Sequence, residues 1–259
     1  MKDSQNPEST GARILADLRH LVKNLPPVPP IPLNGGARKD LSAAHARGMT
    51  WGWMMRVLRT SEAIAAMERV GYAVEASPLR RSAIEHVIRL QWARTVDPSS
   101  LVELALKYRA WSLEKVKNAA SKGSPLPEGA LELIEELAGE ADPEHPGSYK
   151  DLTSLMHDVP DYMILYQGWL TETQESHPTL TSAAPYFAVS DDWTSTDLRT
   201  RPRPPQIFPV ELPTLTLLAV EAFVEIVGIA DQVAAPLAEI RARIEQLGAE
   251  RHVAPESED

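Results

Sequence analysis

Between residues 77 and 92 the chain reads SPLRRSAIEHVIRLQW, a segment whose pattern fits a buried helix. Ser77-Pro78 is a helix start, with Ser77 as cap and Pro78 at the first helical position, where a missing N–H costs nothing. Leu79, Ala83, Ile84, Val87, Ile88, Leu90 and Trp92 cover most of the circumference with apolar or small groups. A helix that apolar is expected inside the protein, so any arginine or glutamate on it must be paired and hydrogen-bonded. Arg81 and Glu85 stand four apart and therefore share one side of it. Two readings follow: an ion pair that holds neighbouring helices in register, or a polar pocket inside a helical bundle.

The same punctuation recurs on both sides. Downstream, Asp97-Pro98 opens a helix to about Ser121, and Ser124-Pro125 opens another that carries Leu131, Leu133, Ile134 and Leu137 and stops at Gly139. Upstream, Leu41, Trp51, Met54, Met55, Leu58, Ile64 and Met67 lie at helical spacing, with Gly71 as the stop. Gly48 and Gly52 mark that helix for a kink or a close contact. Ile14, Leu15, Leu18, Leu21, Val22 and Leu25 make one stripe on a short N-terminal helix, ended by the run PPVPPIP at 26–32. That run is expected to form an extended strut, either a stiff connector or a ligand for a proline-reading domain.

Towards the C-terminus, short helices are expected near 149–156 and 161–173, an irregular stretch over 177–210, and a densely apolar helix over 213–229. Pro236 is expected to kink or break the helical pattern before a more polar helix to about Arg251. No segment alternates with period two long enough for a strand. The fold expected is all-α, a multi-helix bundle of about eight helices. It divides into an N-terminal helix and proline-rich linker (1–39), a helical domain (40–251) and an acidic, disordered tail (252–259).

Composition narrows the function. The chain has 259 residues, no cysteine and a net charge of −10. Without cysteine there is no disulfide scaffold, thiolate zinc site or cysteine nucleophile. The negative charge argues against broad DNA binding. No apolar run approaches the roughly 20 residues of a membrane span, and MKDSQNPEST has no apolar segment, so a cytoplasmic location is expected. GxGxxG, Walker-type, GxSxG and HExxH motifs are absent, as is any Glu-x-x-His pair. Asp17/His20, Asp142/His145 and Asp191-Asp192 read as ordinary surface, loop or cap residues, and no metal or other cofactor is expected. Arg199, Arg201 and Arg203, set among prolines, form the dense basic stretch, read as a solvated loop or as contacts to phosphates.

Arg81 and His86 enclose four residues, a spacing similar to the signature of HEPN ribonucleases, which are compact helical dimers. The resemblance implies that Arg81 steadies a scissile phosphate, that His86 helps in proton transfer, and that Ser82 is the polar residue after the arginine. An arginine followed by histidine after four to six residues is common, since Arg13/His20 and Arg38/His45 also satisfy that pattern. Residues five apart on a helix also point about 140° away from each other, so Arg81 shares a face with Glu85 rather than with His86.

The run LRRSAIE at 79–85, the helix to Trp92, Asp97-Pro98 and a following charged helix resemble an uncharacterised bacterial family of helical domains. Its members carry a Leu-Arg-Ser-x-x-Glu helix and a later tyrosine with a His-Pro segment, here Tyr166 and His177-Pro178. The resemblance covers about residues 45–230. It implies kinship with HEPN domains, a place among bacterial defence genes, and a polar cluster of Arg81, Glu85 and His177. Such a histidine serves either proton transfer or structural hydrogen bonding. Tyr166, Trp169, Tyr186 and Arg80 are expected to line the same pocket. The leading expectation is a helical binding or regulatory domain. A metal-independent ribonuclease is the alternative, with Arg81 holding phosphate and His86 or His177 moving protons, and an oligomerising scaffold is the third reading. The partners admitted are a second copy of the chain, a small anionic ligand or RNA.

Overall fold

The computed structural model describes residues 7–30, 38–123, 151–159, 162–191, 194–203 and 209–252, with positions 127, 129, 130 and 132. The fold is all-α. Nine helices occur among the described residues: α1 (Pro7–Lys23), α2 (Arg38–Arg69), α3 (Ser77–Ala93), α4 (Pro98–Ser121), α5 (Leu152–Met156), α6 (Tyr162–Ser176), α7 (Leu180–Ala183), α8 (Glu211–Ile226) and α9 (Ala230–His252). None is long and apolar enough to cross a membrane.

α3 is the centre of the bundle. It packs on α2, α6 and α8, and its Val87, Ile88 and Leu90 are completely buried. α8 is the second central element, burying Val220, Phe223 and Val224 between α2, α3, α1 and α9. α1 belongs to the same core through Ile14, Leu18 and Val22. Gly11 lets α1 approach the chain ahead of α8: a Cβ there would lie 2.5 Å from the carbonyl oxygen of Pro209. Residues 26–30 of the proline strut run outside any helix, and Arg47 on α2 donates to the Pro29 carbonyl at 2.7 Å. The expected helix at 125–139 and the loop at 142–147 lie outside the described residues, apart from a few positions.

Several local expectations are corrected. Ser77 is the first helical residue rather than the cap; Ala76 takes the cap position without a side-chain bond. The Ser77 hydroxyl instead donates to the Glu172 backbone carbonyl on α6, at 3.2 Å. Asp97 does cap α4, accepting from the Ser99 and Ser100 amides, and the Ser100 hydroxyl above all, with these amides, holds its carboxyl below the usual range. α2 runs through Gly48 and Gly52 with nothing within 4 Å of either added Cβ, so neither glycine marks a close contact. Gly71 ends the α2 region at a φ of 87°.

Pro236 breaks nothing. It lies within α9 at an exposed position, where losing one backbone hydrogen bond costs less than it would in the core. The break comes earlier, at Gly228, whose φ of 75° separates α8 from α9. The stretch expected to be irregular holds α7, a 3₁₀ turn (Ala184–Tyr186) and a small antiparallel hairpin, β1 (Phe187–Val189) with β2 (Thr196–Leu198). Three-residue strands are too short to show alternation.

Candidate functional site

The antiparallel seam between α3 and α6 gathers most of the candidate residues. At its middle the two helices come close, because a Cβ on Gly168 would sit 3.4 Å from Ile84 Cδ1. Beside that point Arg81 Nε donates to Glu85 Oε1 at 3.1 Å, the i,i+4 pair expected from the spacing. Trp169 Nε1 donates to the same carboxylate oxygen at 3.1 Å. The Arg81 guanidinium lies 5.8 Å from the centre of the Trp169 ring, within cation–π range, and Tyr166 stacks on Trp169 at 6.3 Å. His177, just past the end of α6, completes the group with Nε2 2.7 Å from Arg81 Nη1. Arg81, Glu85, His177, Trp169 and Tyr166 are therefore brought together.

The cluster does not face inward as the apolar pattern of α3 implied. The Arg81 and Glu85 side chains keep 27% and 30% of their exposure, and His177 is exposed. The buried arginine is its neighbour. Arg80 is 6% exposed, donates from Nη2 to Glu68 Oε1 at 2.6 Å and from Nη1 to the Ala73 carbonyl at 3.0 Å. Glu172 of α6 and Glu211 of α8 face the same guanidinium. Burial pushes the Glu172 carboxyl up to about 7, and raises Glu211 as well. Sequence reasoning named Arg80 but missed Glu68, Glu172 and Glu211, each of which looks like an ordinary surface glutamate.

Two predicted residues lie apart from the Arg81 group. His86 Nδ1 donates to the Ser82 carbonyl at 2.6 Å, and burial lowers its pKa, with Arg89 and Arg56 also acting against a charge. Its hydrogen bond stays within α3, while Arg81 engages α6. Tyr186 hydrogen-bonds Glu75 in the α2–α3 connection, which raises its phenol to about 12. Of the basic stretch, Arg199 pairs with Asp197 of β2 at 3.1 Å, while Arg201 and Arg203 are exposed.

Farther along the seam, α3, α6, α8 and α9 enclose an open cleft of about 630 Å³. Leu165, Leu218 and Leu237 supply its apolar wall, and two cross-helix ion pairs, Arg94–Glu225 and Arg241–Glu221, stand in it. Gln91 braces one of them, accepting from Arg94 at 2.6 Å and donating to the Leu218 carbonyl at 2.7 Å. Among the described residues no group of three His, Cys, Asp or Glu side chains is arranged to hold a metal ion. No family model matches the chain, and no curated protein or solved structure matches it.

Proposed function

We propose that this protein works as a helical binding module whose ligand is a small anion, a carboxylate or phosphate group, seated on Arg81. The observation that supports this reading is the immobilised guanidinium: Nε is taken by Glu85, Nη1 meets His177, and one face lies on Trp169. Those contacts use two of its five N–H donors, and the side chain keeps 27% of its exposure, so donors remain for a ligand. A fixed fork suits planar or tetrahedral oxyanions, and its ordering entropy is lost on folding rather than on binding. The net charge of −10 favours a small anion over a polyanion, which the whole surface repels.

The test is thermal unfolding with sulfate, phosphate or acetate. The anion raises the midpoint for the wild type and leaves Arg81→Ala unmoved; at a hundred times the dissociation constant the gain is about 2.7 kcal/mol. Equal shifts in both proteins sink the reading.

A second reading, metal-independent RNA cleavage, draws on the Arg81–His177 contact at 2.7 Å. There the guanidinium steadies a phosphate while the imidazole moves the proton. It draws on His177 rather than His86, whose bond is to the Ser82 carbonyl and not to Arg81. RNA incubated with the protein in EDTA decides: cleavage that disappears in both Arg81→Ala and His177→Ala supports this reading, and intact RNA removes it.

A further inference from the structure

Next to the part-exposed arginine the charges do not balance. Arg80 is the cation facing a set of carboxyl groups drawn from three helices: Glu68 on α2, Glu172 on α6 and Glu211 on α8. Glu175, one turn beyond Glu172, adds another negative group to Glu172 and Glu211. Glu68 takes the direct hydrogen bond. Glu172 is 7% exposed, and its Oε2 has no hydrogen-bond partner. From α3, the nearby groups are Arg80 and the Ser77 hydroxyl. α5 and α7 also touch α6, and neither carries an ionisable side chain.

An ionised carboxylate with a bare buried oxygen is costly, and a proton removes that cost. We infer that Glu172 holds a proton while α6 is docked on α3, and that giving it up loosens α6, making the seam a proton-controlled switch. Burial as the dominant cause supports this, since it pushes the carboxyl up to about 7 against the opposing pull of Ser77 and Arg80. α6 also carries Trp169 and ends one residue before His177, so the switch controls the platform beneath Arg81. That last step rests on the anion-binding reading; the protonation of Glu172 does not.

The sign follows from linkage. In the open state Glu172 titrates near its usual 4.5, and in the docked state near 7. Docking is therefore strongest below about 4.5, weakens as the pH rises towards about 7, and then levels off.

Amide hydrogen exchange over α6, corrected for intrinsic rates and measured without ligand, tests the switch. In the wild type, protection falls roughly tenfold per pH unit between about pH 5 and about pH 7. In Glu172→Gln it loses that slope. Parallel profiles in the two proteins overturn the proposal. If the variant does not fold, a carbon-13 titration of the glutamate carboxyls in the wild type decides. A Glu172 midpoint near neutrality upholds the switch, and a Glu172 midpoint below about 5.5 overturns it.

Calorimetric binding of sulfate, whose own charge is constant here, then separates the two ideas. Affinity that drops severalfold between about pH 5 and about pH 7 in the wild type, and less in Glu172→Gln, supports coupling to the site. Equal pH dependence in both overturns that coupling. No binding at either pH ends the anion reading, while the exchange profiles still decide for or against the switch.

Discussion

Nη1 of Arg81 lies 2.7 Å from Nε2 of His177, ninety-six positions later in the chain. A guanidinium only donates, so Nε2 offers its lone pair and the ring is neutral with its proton on Nδ1. A protonated ring would set two cations against each other. The contact therefore both orients Arg81 and depends on an uncharged His177. His177→Ala is expected to lower sulfate affinity severalfold while changing unfolding stability by less than about 0.5 kcal/mol, because His177 is exposed. Calorimetry beside urea unfolding checks both halves.

Adjacent arginines should respond differently to truncation. Arg80→Ala leaves Glu68, Glu172 and Glu211 without their buried cation and is expected to cost about 3–5 kcal/mol. Arg81→Ala breaks a part-exposed pair and is expected to cost no more than about 1 kcal/mol. Urea denaturation of the two variants makes the comparison, and equal losses would contradict the burial assigned to Arg80.

Two desolvated groups, one buried and one half-buried, tilt the pH profile of global stability in opposite directions. Glu172 is raised in the fold, so its contribution is fully present below about 4.5 and disappears as the pH climbs to about 7, a swing on the order of 3 kcal/mol. Glu211 acts in the same sense. His86 is lowered, so its contribution is present above about 6.5 and is lost as the pH falls through its folded value. Glu172→Gln should flatten the loss on raising the pH, and His86→Phe the loss on lowering it. Unfolding free energies across that range provide the measurement.

Gly11 is a position where the absence of a side chain matters. A Cβ at 2.5 Å from the Pro209 carbonyl forces α1 away from the chain that leads into α8. Gly11→Ala is therefore expected to destabilise by about 1–3 kcal/mol despite alanine's better helix propensity. At Gly48, with open space around it, the same change should stabilise by up to about 1 kcal/mol. Thermal unfolding of the two variants reads the opposite signs.

Much of the fold was legible in the chain because helices declare themselves locally. Asp97-Pro98, the apolar stripe of residues 14–22 and the density of α8 all depend on neighbours within a turn or two. The misreadings share a cause. Ser77 has the chemistry of a cap, yet its hydroxyl found a better-placed carbonyl on α6. Pro236 is a helix breaker by rule, but it faces solvent, where the broken bond costs little. The hairpin of β1 and β2 depends on cross-chain pairing that three residues a side cannot advertise.

The Arg81–Glu85 pair was readable from spacing, since residues four apart on a helix meet whatever surrounds them. Which of Arg80 and Arg81 lies inside was not readable. Neighbours on a helix differ by about 100°, and the rotation of α3 against α2, α6 and α8 selects the buried one. The same holds for Glu68, Glu172 and Glu211, three unremarkable glutamates on separate helices. Packing alone makes them compete for one guanidinium, because burial takes away the water that would otherwise have kept them independent.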